Sequence, residues 1–203
     1  MEFTQADHDR ISGAIRSAET RTSGEIVCVL ARSSSDYSFV PVLWSAVAAL
    51  AVPWPLIVFT QLSVQRIYLS QIAVFVVLTL IFSLPALRMA LVPRNIRRAR
   101  AHRAAVEQFF TRGLSRTPAR NGILIYVSLA EHYARIVADE GIAEKARQQD
   151  WQTAVDTLVA HAREDRVVDG FVAAVDLCAD VLAKHYPPEP GGGVLPNRVY
   201  VVD

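Results

Sequence analysis

Cysteine is almost absent: Cys28 and Cys178 are the only two in 203 residues. One falls in a β-branched run and the other on an apolar helical stripe, so both read as small core residues in a reducing compartment rather than as a disulfide. Zinc-ligand spacing is missing as well, since His8, His102, His132, His161 and His185 are scattered singly along the chain. No Gly-rich phosphate loop occurs, which removes one common signature of phosphoryl transfer. The net charge is only +1. Residues 1–40 hold four Lys/Arg against six Asp/Glu and residues 104–203 hold ten against fourteen, so a nucleic-acid partner has little support.

The most informative absence is that of charge in the first half of the chain. Residues 39–65 contain no charged side chain, and neither do residues 67–87. Each run exceeds the roughly 20 apolar residues that a helix needs to cross hydrocarbon. A pair of buried core helices is the competing reading, but the remaining polypeptide is too short to surround two such helices. Pro53, Pro55 and Pro85 interrupt the runs, which membrane helices tolerate better than soluble ones. Trp44, Trp54 and Tyr68 are amphipathic rings of the kind enriched at membrane interfaces. The first run starts too far from Met1 to be a cleavable signal peptide.

Orientation follows from the basic residues. The turn between spans, residues 61–71, carries only Arg66, whereas Arg88, Arg94, Arg97, Arg98, Arg100 and Arg103 follow the second span with no acid among them. Positive flanks stay on the cytoplasmic side, which predicts a two-pass protein of the cell (inner) membrane with both termini in the cytoplasm. Beside a span, Arg94, Arg97, Arg98, Arg100 and Arg103 suit anionic lipid headgroups; a solvated helix face is the plainer alternative.

The flanking segments have the periodicities of a soluble α/β fold. Thr4 with Asp7 resembles a capping box, and Ile11, Ile15 and Ala18 repeat at helical spacing, predicting a helix from Thr4 to about Glu19. "GEIVCVLAR" from Gly24 reads as a strand covered on both faces. Beyond the spans, Val106, Phe109 and Phe110 form an apolar stripe closed near Gly113. "GILIYVS" and "HYARIVA" then form a strand hairpin. Trp151, Val155, Leu158 and Val159 mark one further helix, and Phe171, Val175, Cys178, Ala179 and Leu182 mark another. "YPPEPGGG" ends the packed domain, and "VLPNRVYVVD" is a tail able to add an edge strand. The first strand must therefore pair with strands that lie beyond the apolar pair.

In this order, "AETRTSGEIVCVLARSSSDYS", two spans, "GILIYVSLAEHYARIVADEGI", the helix near "DWQ", "RVVDGFVAAVDLCADVLAKHYP" and "LPN" resemble the membrane-inserted branch of the TPM-domain family over essentially the whole chain. The resemblance implies an α/β class, three-layer α/β/α TPM-like sandwich with a mixed sheet, interrupted by a two-helix transmembrane hairpin. Its parts are residues 1–38, the hairpin at 39–91 with spans at about 40–62 and 67–88, residues 92–187, and a C-terminal tail at 188–203. Members of the wider family have been described both as acid phosphatases and as accessory factors of membrane complexes, and some bind divalent ions at acidic loops. Two features depart from soluble relatives: Asn121 precedes Gly122 where an acid is frequent, and "ADEGIAEK" replaces a "GYGLEG"-like run.

Candidate chemistry is correspondingly thin. Glu25, Asp36, Asp139 and Glu140 stand near strand and loop ends and are the carboxylates able to offer oxygen ligands to Ca²⁺ or Mg²⁺. Asp139-Glu140-Gly141 equally has the composition of a solvated turn. Ser23, Ser128, His132 and Arg135 are the remaining groups a phosphatase would draw on, without a motif that unites them. The sequence favours a non-enzymatic binding or accessory module for a membrane complex, with a membrane-tethered, divalent-cation-dependent phosphatase as the alternative.

Overall fold

The computed structural model describes residues 3–189 and 195–202. The glycine-rich stretch at 190–194 and Asp203, which the sequence assigns to the end of the packed domain and the end of the tail, lie outside the described residues. The chain divides into two compact units, Met1–Ser34 with Ala99–Asp203, and Ser35–Arg98.

The first unit starts with α1 (Gln5–Glu19), capped by Thr4. The Thr4 hydroxyl accepts the Asp7 N–H at 3.3 Å and the Asp7 carboxylate accepts the Thr4 N–H at 2.9 Å, so two donors at the helix start are satisfied reciprocally. β1 (Glu25–Ala31) and β2 (Gly122–Ser128) are buried along their whole length. They pair in parallel with Glu25 opposite Gly122 and Ala31 opposite Ser128. β3 (Tyr133–Ala138) returns antiparallel to β2. β4 (Val199–Val202) joins β1 in parallel from the other side, giving the order β3-β2-β1-β4. The tail thus becomes an edge strand, and β1 is central although the strands beside it lie far along the chain.

Alternation along the strands creates two cores. Ile26, Cys28, Leu30, Ile123, Ile125 and Val127 face α1, α8 (Gln152–Arg163) and α9 (Val167–Ala183). Val27, Val29, Leu124 and Tyr126 face Ala105 and Phe109 of α6 (Arg94–Thr111). The result is a three-layer α/β/α sandwich with a mixed sheet. Burial pushes the thiols of Cys28 and Cys178 well above their ordinary pKa, in keeping with two free, unreactive core residues.

Two details correct the sequence reading. The buried stripe of α6 is Ala101, Ala105 and Phe109, whereas Phe110 is 59% exposed. Spacing by four residues carries one face inward and leaves the adjacent aromatic outside. His132 belongs to the β2–β3 turn, with φ of 49°, rather than to the strand.

The second unit is helical: α2 (Phe39–Ala51), α3 (Pro53–Phe59), α4 (Val64–Phe82) and α5 (Pro85–Ala90). The stretches Phe39–Phe59, 21 residues, and Val64–Phe82, 19 residues, are long and apolar enough to cross a membrane. Only 11% and 6% of their most apolar windows are buried inside the protein. Pro53, which has no N–H to donate, divides the first stretch into α2 and α3. The second begins at Val64, taking Arg66 into its first turn, and stops ahead of Pro85, a tighter connection than residues 61–71. Val40, Pro41, Ser45 and Ala49 form the buried stripe of α2, which packs on α4; small residues at two of these positions let helices approach closely. Thr60, Ser70, Thr79 and Ser83 donate their hydroxyls to carbonyls four residues earlier, so none needs water.

Candidate functional site

Polar side chains collect at both ends of the sheet. At the end where β1 and β2 begin, the Asn121 side-chain amide donates to the Ser23 carbonyl at 2.6 Å and the Asn121 backbone carbonyl accepts the Glu25 N–H at 3.2 Å. Glu25 is 4% exposed and accepts the Leu195 N–H at 3.3 Å, which ties the tail to the start of β1. Asp139 is buried and caps α7 (Glu140–Ala143) by accepting the Glu140 N–H at 2.8 Å. Its second oxygen lies 3.1 Å from Arg120 Nε, an ion-pair contact without hydrogen-bond alignment. Arg120 also pairs with Glu140 at 2.8 Å and donates to the Ser115 carbonyl at 3.1 Å. A Cβ on Gly141 would lie 2.7 Å from the Arg120 carbonyl oxygen. Glycine therefore lets the acidic loop close onto the arginine.

These contacts decide what the predicted carboxylates can do. Glu25 and Asp139 stand at the same end of the sheet, on either side of Gly122, whose carbonyl accepts the Asp139 N–H at 3.0 Å. Arg120 engages both Asp139, at 3.1 Å, and Glu140, at 2.8 Å. Asp36 belongs to the other unit and accepts the Ser38 N–H at 2.9 Å and the Ser38 hydroxyl at 3.0 Å. Among the described residues no group of three or more His, Cys, Asp or Glu side chains is placed to hold a metal ion. Arg120 was not visible as a site residue in the sequence; its only signal was a basic residue before the "NG" that opens β2.

Beside this end, the Glu19 carboxyl is pushed up to about 7 by burial; the Asn197 amide that donates to it opposes the rise and the Glu25 carboxylate adds to it. A cavity of about 410 Å³ lies close by, lined by Ser23, Glu25, Thr117, Asn121, Lys145 and Tyr186 among others.

At the opposite end, outside the carboxyl ends of the parallel strands, lies a second polar cluster that sequence reasoning missed. Glu131, 5% exposed, accepts the Ser34 N–H at 3.0 Å and the Ser128 and Ser33 hydroxyls. The Ser34 hydroxyl lies 2.9 Å from the Tyr126 hydroxyl. Burial raises the Tyr126 pKa, and the Ser34 contact partly offsets that rise. The cluster fastens the serine run after β1 to the β2–β3 turn, reinforced by Leu129 and Ala130 N–H groups donating to the Ala31 and Arg32 carbonyls. Ser128 is 1% exposed and its hydroxyl is engaged by Glu131, so it is not presented as a nucleophile. Ser23 is at the other end of the sheet, and His132 lines a separate cavity of about 500 Å³ with Tyr133, Arg163 and Asp165.

The five arginines assigned to headgroups lie on α6. Arg94, Arg98 and Arg103 are exposed, whereas Arg97 and Arg100 are half-buried. Their spacing distributes them around the helix instead of along one stripe.

The sequence profile of the TPM domain matches residues 84–181, somewhat less than half of the chain. No curated protein is matched. The NMR structure of BA42 protein from the psychrophilic bacterium Bizionia argentinensis sp. nov. is similar, with a TM-score of 0.62 and 19% sequence identity, covering 99% of this chain and 96% of that one. At that identity the likeness speaks to the fold alone.

Proposed function

We propose that the chain is a two-pass membrane protein whose TPM-like α/β/α domain works at the cytoplasmic face as a non-enzymatic binding or accessory module for a membrane complex. The observation that carries the reading is the exposure of Trp54 at 71%, Phe59 at 79%, Val64 at 81% and Leu80 at 67%, all on the two apolar stretches. A continuous apolar surface of this kind needs a cover, and lipid is the cover that its length and composition fit. Arg94, Arg97, Arg98, Arg100 and Arg103 then meet anionic headgroups and hold the domain close to the bilayer. The non-enzymatic part rests on the acidic end, where Arg120 already engages Asp139 and Glu140, and on Ser128, whose hydroxyl is consumed by Glu131.

Alkaline extraction of membranes followed by crosslinking in the native bilayer tests this function. The protein should stay with the extracted membrane and crosslink reproducibly to an integral membrane protein through the α/β domain. Release into the soluble fraction, or turnover of a broad phosphomonoester panel by purified protein that depends on Asp139, would count against it.

A further inference from the structure

A third polar region, away from both ends just described, lies along the free edge of β4. The Tyr200 ring carries two guanidiniums, with the Arg112 Cζ 3.9 Å and the Arg198 Cζ 4.6 Å from its centroid. Both arginines face a cavity of about 530 Å³ whose opposite wall is the first half of α1, with Gln5, His8, Asp9 and Ser12. That volume is in the range of small-molecule sites.

The charges around the cavity do not balance. The Arg112 side chain makes one hydrogen bond, from Nε to the Gln108 side chain at 3.0 Å, which leaves its two terminal nitrogens available. The Arg198 guanidinium makes no hydrogen bond or ion pair with any described residue; only its backbone N–H is engaged, by the Pro196 carbonyl at 2.9 Å. Asp9, the one acid in the lining, is engaged by the Gln5 amide at 3.1 Å and lies within ion-pair distance of neither arginine among the described residues. Cation–π attraction to Tyr200 holds each guanidinium in place, but two like charges gathered on one ring repel each other. An anion between them would relieve that repulsion, and the planar forks of two arginines match the geometry of carboxylate and phosphoryl oxygens.

We propose that Arg112, Arg198 and Tyr200 form a binding site for a small oxyanionic ligand, one bearing carboxylate or phosphoryl groups, at the β4 edge. Gln5, His8 and Ser12 supply further polar contacts from α1. Because Tyr200 and Arg198 belong to the C-terminal tail, ligand binding would also fasten β4 to the rest of the sheet. The site stands independently of the membrane-module reading, since all of its residues belong to the α/β unit.

The test uses the full chain in phosphatidylcholine nanodiscs, with citrate and inorganic pyrophosphate as probes and potassium chloride at matched ionic strength as the reference. At least one probe should raise the thermal midpoint saturably, since a ligand of the folded state stabilises it by mass action. R198Q and R112Q should each weaken that probe about tenfold, as expected for loss of a charge-assisted hydrogen bond, while R116Q, at an exposed arginine outside the cavity lining, should leave it unchanged. The Arg198 side chain is exposed and without a hydrogen bond, so R198Q folds whatever the outcome for R112Q. A second arm adds phosphatidylglycerol to the nanodiscs: competition with the soluble probe assigns the oxyanion to a lipid headgroup, and its absence assigns it to a soluble ligand. Midpoints no higher than in potassium chloride, or probe affinity unchanged in R198Q, would overturn the proposal.

Discussion

Arg120 Nε lies 3.1 Å from the buried Oδ2 of Asp139, at the loop where β3 ends and close to where β2 begins. Removing the arginine strands a buried carboxylate, whereas Asp139→Asn keeps a side chain able to cap α7. Arg120→Ala should therefore destabilise the domain by about 1–2 kcal/mol, a figure already reduced because the arginine is partly exposed. Asp139→Asn should cost about half as much. Thermal unfolding of both variants checks the order; equal losses would mean that the ion pair contributes nothing beyond the cap.

With Arg120 paired to Asp139 and Glu140, calcium or magnesium should shift the midpoint no further than potassium chloride at equal ionic strength. A specific, saturable rise that vanishes in Asp139→Asn would instead support the metal site that the carboxylate pattern suggested.

Glu19 gives the fold a pH dependence of definite sign. Its carboxyl is raised from an ordinary 4.5 to about 7 by burial, so the folded state holds this proton more tightly than the unfolded chain does. Its contribution is fully present below pH 4.5 and is lost as pH rises through 7. After discounting for partial exposure, the loss amounts to about 1–2 kcal/mol. The midpoint of Glu19→Gln should lack this decline, and superimposable pH curves for the two proteins would contradict the assignment.

The Glu131 clamp predicts a graded effect. Glu131→Gln keeps an acceptor for the Ser34 N–H, but Glu131→Ala leaves that N–H and the Ser128 hydroxyl without their buried partner. The alanine variant should lose about 2–3 kcal/mol and the glutamine variant about half of that. Hydrogen exchange at Ser34 should accelerate in the alanine variant, and an unchanged rate there would show that the serine run is held by other means.

Much of this architecture is written in local periodicity. The Thr4–Asp7 box, the repeat Ile11, Ile15, Ala18 and the α9 stripe from Phe171 to Leu182 each repeat an elementary rule, and each is found where the spacing places it. The pairing of β1 with β2 was legible because an uninterrupted apolar strand needs neighbours on both sides, and "GILIYVS" was available only beyond the apolar pair. The site residues were far less legible. Arg120, Glu131 and the Arg112–Tyr200–Arg198 stack depend on positions that meet only when the sheet has formed. No spacing rule links Ser34 to Glu131 or Arg112 to Tyr200. Phe110 shows the same limit in miniature: adjacent residues point about 100° apart on a helix, and composition does not say which aromatic turns inward.

The most direct test of the central claim is labelling by a membrane-impermeant maleimide in intact cells or spheroplasts, with single cysteines placed at Leu62, between the apolar stretches, and at exposed Arg147 in the α/β domain. The native Cys28 and Cys178 are buried and should stay silent. A two-pass protein with a cytoplasmic domain predicts labelling of Leu62→Cys in intact cells and of Arg147→Cys only after permeabilisation. Labelling of Arg147→Cys in intact cells, with Leu62→Cys protected, would contradict the account.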